Sequence, residues 1–173
     1  MIRPIVKVMP SPFNFMGLIA ACLTAATVPH WWSEIFLILS LVLGGFKGRW
    51  IWLQSPTSKL GATISSIMNR ITEVFWAITF YRLGTPLTWV FAFAALAVFQ
   101  EYAKARIAST GLQNNDLASL VNRQTRASFL FIVILVYQYS HSHTWVTAIA
   151  VVLTFLQALS FFLLLRAVFK QLR

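Results

Sequence analysis

Long apolar segments separated by short polar connections dominate this chain. The apolar segments cover about residues 13–28, 31–46, 60–81, 86–108, 127–139 and 145–168. Turn-forming residues follow several of them, as at Pro29-His30 and Gly84-Thr85-Pro86. Because roughly 20 mainly apolar residues suffice for a helix to cross a bilayer, the pattern predicts an all-α polytopic membrane protein with six transmembrane helices. The fifth helix is expected to begin near Leu117, ahead of its most apolar stretch.

The N-terminal residues 2–10 have a different character from the segments that follow. They are basic and carry apolar residues at helical spacing, namely Ile2, Ile5, Val6 and Met9. This pattern predicts an amphipathic juxtamembrane helix lying on the membrane surface. No soluble module interrupts the apolar segments, so residues 1–173 are predicted to form one membrane domain.

The composition supports the prediction of a membrane protein. Hydrophobic residues make up 58% of the 173 residues and charged residues only 10%, whereas roughly a quarter of the residues in a soluble domain are charged. Lysine and arginine outnumber aspartate and glutamate by 14 to 4, which gives a net charge of +10. In a membrane protein this excess indicates cytoplasmic loops and anionic lipid, and it does not favour nucleic acid as a partner.

The basic residues fall almost entirely on one predicted side of the membrane. If both termini share that side, it contains Arg3, Lys7, Lys47, Arg49, Lys59, Lys104, Arg106, Arg123, Arg126, Arg166, Lys170 and Arg173. The opposite side contains Arg82 alone. The positive-inside rule then places both termini in the cytoplasm. The membrane is expected to be a bacterial cell (inner) membrane. The polar halves of the third and fourth segments face the same side and predict a polar, basic cavity there.

The third and fourth segments contain polar residues at depths where such residues usually face a cavity. In the third segment Gly61, Ser65 and Asn69 are spaced four apart and share one helix face. The fourth segment adds charged residues at the corresponding depth, Glu101, Lys104 and Arg106. Small residues at a spacing of four also let helices approach closely in lipid, which explains Gly61 and Ser65 equally well. Packing alone does not explain Asn69, Arg70, Lys104 and Arg106 together.

The connection between the second and third segments resembles the CDP-alcohol phosphatidyltransferase family, most closely its actinobacterial phosphatidylinositol-phosphate synthase branch. The family motif reads Asp-x2-Asp-Gly-x2-Ala-Arg, then a spacer, then Gly-x3-Asp-x3-Asp. The positions that match its spacing are Leu41, Gly44, Gly45, Gly48, Arg49, Gly61, Ser65 and Asn69. Residues 101–112 resemble the family's serine-tyrosine and "KARAE-x-x-GL" run, and residues 122–126 resemble its "ERxER" run. The resemblance therefore covers roughly residues 35–135.

The chain differs from the family at the acidic positions of the motif. The four family aspartates fall on Leu41, Gly44, Ser65 and Asn69, and the spacer before Gly61 is longer. The resemblance implies that the family holds one or two divalent cations with those aspartates, and that one carboxylate deprotonates the acceptor hydroxyl. Hydroxyl and amide oxygens do not offset a +2 charge. We therefore predict no catalytic residue, no metal ligand and no cofactor.

The basic positions of the resemblance persist, and a cavity that has lost its carboxylates favours a phosphate. The family-matched nucleotide- or phosphate-binding positions are Gly45, Arg49, Gly61, Ser65 and Asn69. The predicted acceptor or anion pocket consists of Arg70, Lys104, Arg106, Arg123 and Arg126. A simpler interpretation is that these basic side chains only set topology and extend to the interface.

Three functions remain open at this point. The first is a divergent member of the family, a pseudoenzyme of phospholipid synthesis that binds CDP-diacylglycerol, an anionic phospholipid or a partner. Since the resemblance implies a dimeric family, that partner would be a second copy or an active homologue. The second is an active phosphatidyltransferase that uses Mg²⁺ or Mn²⁺ to move a phosphatidyl group from CDP-diacylglycerol to inositol phosphate or glycerol phosphate. The third is a structural membrane scaffold.

Two smaller features carry separate expectations. His141 and His143 form a His-x-His pair on the non-cytoplasmic side. Two histidines without cysteines or carboxylates seldom hold a metal ion, so a structural role is favoured. Glu73 is expected to form a structural ion pair with Arg70 or Arg106.

Overall fold

The computed structural model describes residues 12–45, 59–109 and 121–171, and every regular element within those ranges is an α-helix. The helices are α1 (Pro12–Thr27), α2 (Trp32–Gly45), α3 (Lys59–Arg82), α4 (Leu87–Ser109), α5 (Arg123–Ser140) and α6 (His143–Gln171). The all-α prediction is thus confirmed for the described residues. The predicted surface helix over residues 2–10 lies outside them, as does Arg49.

The chain divides into two compact units, Met1–Thr79 and Phe80–Arg173, with the boundary inside α3. In the first unit α1 packs against α2. A methyl group added at Gly17 would lie 3.5 Å from the backbone of both Ser40 and Gly44, an ordinary van der Waals distance, so the two helices lie close together at this point. In the second unit α4 and α5 both pack against α6.

The described helices expose large apolar side chains and bury polar ones. Phe91 and Phe162 are each 70% exposed. The polar side chains that are almost fully buried include Thr24, Ser33, Gln100, Arg126 and Gln157. Interiors of soluble proteins seldom bury such polar and charged groups. In lipid, exposed apolar side chains are favourable, and polar side chains are more stable inside the protein than facing the acyl chains.

One helical stretch in the described part of the chain, His143–Arg166 with 24 residues, is long and apolar enough to cross a membrane. In its most apolar window 33% of the residues are buried, so the protein's own core leaves much of this apolar surface uncovered. The helical stretches Phe13–Thr27 and Trp32–Gly44 are apolar but shorter. One candidate spanning helix therefore supports membrane association.

Helix α5 begins later than the sequence suggested. Its first residue is Arg123, so the expectation of a continuous helix from Leu117 is wrong at Val121 and Asn122. Asn122 is extended, with φ −100° and ψ −179°, and its side-chain oxygen accepts the Thr125 N–H at 2.9 Å. An asparagine in this position caps a helix by satisfying one of its first free N–H groups. Leu117 itself lies outside the described residues.

The turn between α3 and α4 is fixed by the beginning of α6. Nδ1–H of His143 donates to the Leu83 carbonyl at 2.9 Å, and the His143 ring lies 5.3 Å from that of Tyr137. Gly84 adopts φ +96°, and a Cβ there would meet His143 Nδ1 at 2.0 Å. Glycine is thus required both by the backbone conformation and by the close approach of the imidazole. These contacts give His143 a structural role.

Candidate functional site

Three buried polar side chains fix the place where α5 begins. Gln100 of α4 donates from Nε2 to the Val121 carbonyl at 3.2 Å and to Ser160 Oγ at 3.1 Å. The Val121 N–H in turn donates to Ser160 Oγ at 3.3 Å. Gln157, one turn before Ser160 on α6, donates from Nε2 to Gln100 Oε1. We call Gln100, Gln157 and Ser160 the glutamine network. It joins α4 and α6 to the residue that precedes the α5 cap.

The glutamine network sets α5 back from the ends of its neighbours. Gln100 precedes the last residue of α4, Ser109, by nine positions, or about 14 Å at 1.5 Å per residue. Gln157 precedes the last residue of α6, Gln171, by fourteen positions, or about 21 Å. The N-terminus of α5 therefore lies beside the middle of α4 and α6 and is set back from their C-terminal ends.

A carboxylate shared by two cations lies beside the N-terminus of α5. Oε1 of Glu101 is 3.3 Å from Lys104 Nζ and 3.7 Å from Arg126 Nη2. The Arg126 side chain is only 2% exposed, whereas those of Glu101 and Lys104 are 25% and 23% exposed. We call Glu101, Lys104 and Arg126 the Glu101 cluster. It contains two residues of the predicted anion pocket, brought together from two helices.

The electrostatics of the Glu101 cluster favour an additional anion. Its formal charges sum to +1, and Glu101 is the only carboxylate among the described residues of the second unit. Arg123 and Arg126 lie in the first turn of α5, which contains no acidic residue. The positive end of the helix dipole disfavours cations at that position. An anion bound here would offset both the excess charge and the unfavourable dipole interaction.

The predicted site residues of the first unit have local partners. The Asn14 amide on α1 donates from Nδ2 to Ser65 Oγ at 2.8 Å, and both side chains are buried. Asn69 lies one turn further along α3 and is half-buried. Arg70 Nη1 lies 2.7 Å from Glu73 Oε2, which confirms the ion pair expected between them. The hydrogen bond to Asn14 agrees with the helix-packing interpretation of Ser65.

For the other predicted positions the structure gives a place in a helix and, for some, the exposure of the side chain. Gly45 is the last residue of α2, Gly61 lies in the first turn of α3, and Arg106 is exposed near the end of α4. Arg123, half-buried, precedes Arg126 by three positions and so shares its face of α5. Within the described ranges no group of three or more histidine, cysteine, aspartate or glutamate side chains could hold a metal ion.

The sequence contains a signal for the glutamine network outside the motif positions. Gln157 and Ser160 are polar residues three positions apart in a long apolar helix, and such residues in an apolar span usually have partners on neighbouring helices. Comparison of the chain with protein-family models, with curated proteins and with solved structures gave no match. The family resemblance accordingly depends on the motif positions alone.

Proposed function

We propose that this chain is a multi-pass membrane protein that binds a phosphate-bearing anionic lipid at the Glu101 cluster without metal-dependent catalysis. In this proposal it is a divergent CDP-alcohol phosphatidyltransferase-like protein of phospholipid synthesis. The observation that carries the proposal is the convergence of two cations, Lys104 and Arg126, on the single carboxylate of Glu101. CDP-diacylglycerol and anionic phospholipids are the candidate ligands, and a second copy or an active homologue is the candidate partner.

The chemistry of the Glu101 cluster suits phosphate. Arginine presents a rigid fork of N–H donors that matches two phosphate oxygens, and lysine adds a mobile point charge. Arg126 is held almost fully buried, while Lys104 is partly exposed and can meet a ligand that enters from outside.

The oxygen atoms of the candidate site residues are unsuitable as ligands for Mg²⁺ or Mn²⁺. These ions require several hard, mostly anionic oxygen ligands. Glu101 supplies one carboxylate, and its Oε1 already interacts with two cations. The Ser65 hydroxyl accepts from Asn14 and carries no charge. This disagreement between donor set and metal favours the non-catalytic member of the family over the active transferase.

The proposed topology has all six helices crossing the membrane, with both termini in the cytoplasm. The exposed apolar side chains of the described helices support it, since water would make that surface costly. The excess of basic residues on one side supports the orientation. Under this topology the turn between α5 and α6 is outside the cell and the end of α6 is inside.

Cysteine accessibility tests the topology. In a Cys22→Ser background, Ser142→Cys is expected to react with a membrane-impermeant maleimide in intact cells, because Ser142 connects α5 to α6. Arg166→Cys on the other end of α6 should react only after the membrane is opened. Labelling of both positions from outside, or of neither before lysis, would contradict the proposed topology. The Cys22→Ser protein without a new cysteine is the control for background labelling.

Turnover and binding assays in nanodiscs test the function. The purified protein is expected to release no CMP from CDP-diacylglycerol in the presence of Mn²⁺ with inositol phosphate or glycerol phosphate. It is expected to bind phosphatidic acid, measured by native mass spectrometry. Lys104→Ala should weaken that binding about tenfold, because a hydrogen bond to a charged group contributes about 1.5 kcal/mol.

Arg82→Ala is the matched control, because it removes one cation from the opposite end of the second unit. It should leave the affinity for phosphatidic acid within about twofold of the original value. Robust metal-dependent CMP release would favour the active transferase instead. Equal binding by the original protein and Lys104→Ala would mean that the basic residues serve topology alone.

A further inference from the structure

We infer that Glu101 is a built-in competitor for the anion site, so that a ligand must displace it from Lys104 and Arg126. This inference rests on the proposed function and concerns the selectivity of the same site. A ligand with a dianionic phosphate group, as in a phosphomonoester or free phosphate, gains more from that displacement than the monoanionic phosphate of a phosphodiester. Glu101 thereby makes the site selective for dianionic phosphate.

The positions of the three side chains support the competition. A single oxygen of Glu101 lies within 3.3 Å of Lys104 Nζ and 3.7 Å of Arg126 Nη2, where a phosphate oxygen would have to be placed to meet both cations. Two anions cannot occupy that position together, because like charges in contact repel strongly away from bulk water. Binding of phosphate therefore requires the Glu101 carboxylate to leave.

The burial pattern indicates which group moves. Arg126 is buried at the start of α5, where a buried side chain has little room to move, whereas the Glu101 side chain is one-quarter exposed. Glu101 and Lys104 lie three positions apart on one face of α4. A rotation of the Glu101 side chain about its own bonds takes the carboxylate toward solvent and leaves both cations at the site. No backbone movement is required.

Charge explains the selectivity. A phosphomonoester carries about −1.5 to −2 at pH 7 and three terminal oxygens, whereas a phosphodiester carries a single charge. Exchanging the Glu101 carboxylate for a phosphodiester replaces one negative charge by another. Exchanging the carboxylate for a phosphomonoester adds as much as one further negative charge. That charge interacts favourably with the +1 of the cluster and with the positive end of α5. Only the second exchange offsets the charges of both Lys104 and Arg126.

Binding by Glu101→Gln tests the inference. The protein and its variants are placed in phosphatidylcholine nanodiscs, and three probes are titrated: phosphatidic acid, phosphatidylglycerol and inorganic phosphate. The original protein should prefer phosphatidic acid to phosphatidylglycerol. Glu101→Gln should bind phosphatidylglycerol about tenfold more tightly and lose most of that preference, since the repelling charge is gone. A response to phosphatidic acid identifies a lipid as the source of the phosphate, and a response to inorganic phosphate alone identifies a soluble ligand.

Two control variants separate charge from other effects. Glu34→Gln removes one carboxylate from the first turn of α2, in the first unit, and should leave all affinities unchanged. Glu101→Asp keeps the charge and should keep the preference for phosphatidic acid. If Glu101→Gln binds phosphatidylglycerol no more tightly than the original protein, the inference fails and the proposed function stands. If the original protein binds none of the three probes, both fail.

A spectroscopic measurement on the original sequence covers the case in which Glu101→Gln does not fold. With ¹³C-carboxyl-labelled glutamate, infrared difference spectra should show one carboxylate band shifting when phosphatidic acid or phosphate binds. The band should keep its shift in Glu34→Gln, which removes one of the other glutamates from the spectrum. Binding without any carboxylate shift would overturn the displacement of Glu101.

Discussion

Replacing Gln100 with alanine is expected to lower the free energy of unfolding by about 3 kcal/mol. The substitution removes the partner of the Val121 carbonyl and of the Gln157 amide, and both groups are enclosed in the second unit. A buried polar group that loses its hydrogen bond costs about 1–3 kcal/mol, so two such groups account for the expected effect. Ser160 keeps the Val121 N–H as a donor and adds little to the loss.

Unfolding in detergent, followed by the loss of helix signal as denaturant increases, measures this effect. Gln124→Ala is the matched control, because Gln124 is exposed on α5 and exposed substitutions usually change stability by less than about 0.5 kcal/mol. Adding Gln157→Leu to Gln100→Leu should recover part of the loss, since replacing both partners by apolar groups of similar shape is nearly neutral. Equal stability of Gln100→Ala and Gln124→Ala would show that the glutamine network contributes nothing.

Replacing Arg126 with methionine is expected to separate binding from stability. Methionine fills most of the space of the buried arginine stem, and removing one partner of a buried ion pair is costly chiefly when the other charge is left uncompensated in the interior. Glu101 keeps Lys104 as a partner and is one-quarter exposed, so it is not left isolated in the interior. Affinity for phosphatidic acid should nevertheless fall about 100-fold, as loss of a two-pronged arginine contact costs up to about 3 kcal/mol.

The two quantities are measured on the same nanodisc preparation, affinity by native mass spectrometry and stability by thermal unfolding. Arg166→Met, which removes an exposed arginine from α6, should change neither the affinity nor the melting temperature. Loss of folding in Arg126→Met would assign Arg126 a structural role. Unchanged affinity in a folded Arg126→Met protein would remove it from the anion site.

The start of α5 illustrates how far local sequence signals reach. Asn122 is a good capping residue, and its role in α5 follows the ordinary preference of asparagine for that position. The sequence nevertheless suggested an earlier start, because nothing near Leu117 in the chain forbids a helix. The interactions that hold Val121 out of a helix come from Gln100 and Ser160, which are 21 and 39 positions away.

Ser65 shows the same limit for a candidate site residue. Its spacing from Gly61 and Asn69 was compatible with a ligand cavity and with helix packing. The partner that favours helix packing, Asn14, lies 51 positions earlier on α1. Nothing in the local pattern around Ser65 indicates which of the preceding polar residues it meets, since helix–helix register is a property of the packed structure.

The apolar character of the segments and the excess of basic residues were readable from the printed residues, because hydropathy and charge belong to each position separately. Helix formation was readable too, since its hydrogen bonds join residues only four positions apart. The convergence of Lys104 and Arg126 on Glu101 was not readable from the sequence, although all three residues stand out there as charged positions. Arg126 reaches Glu101 from a different helix, and such a meeting is decided only when α4 and α5 pack against α6.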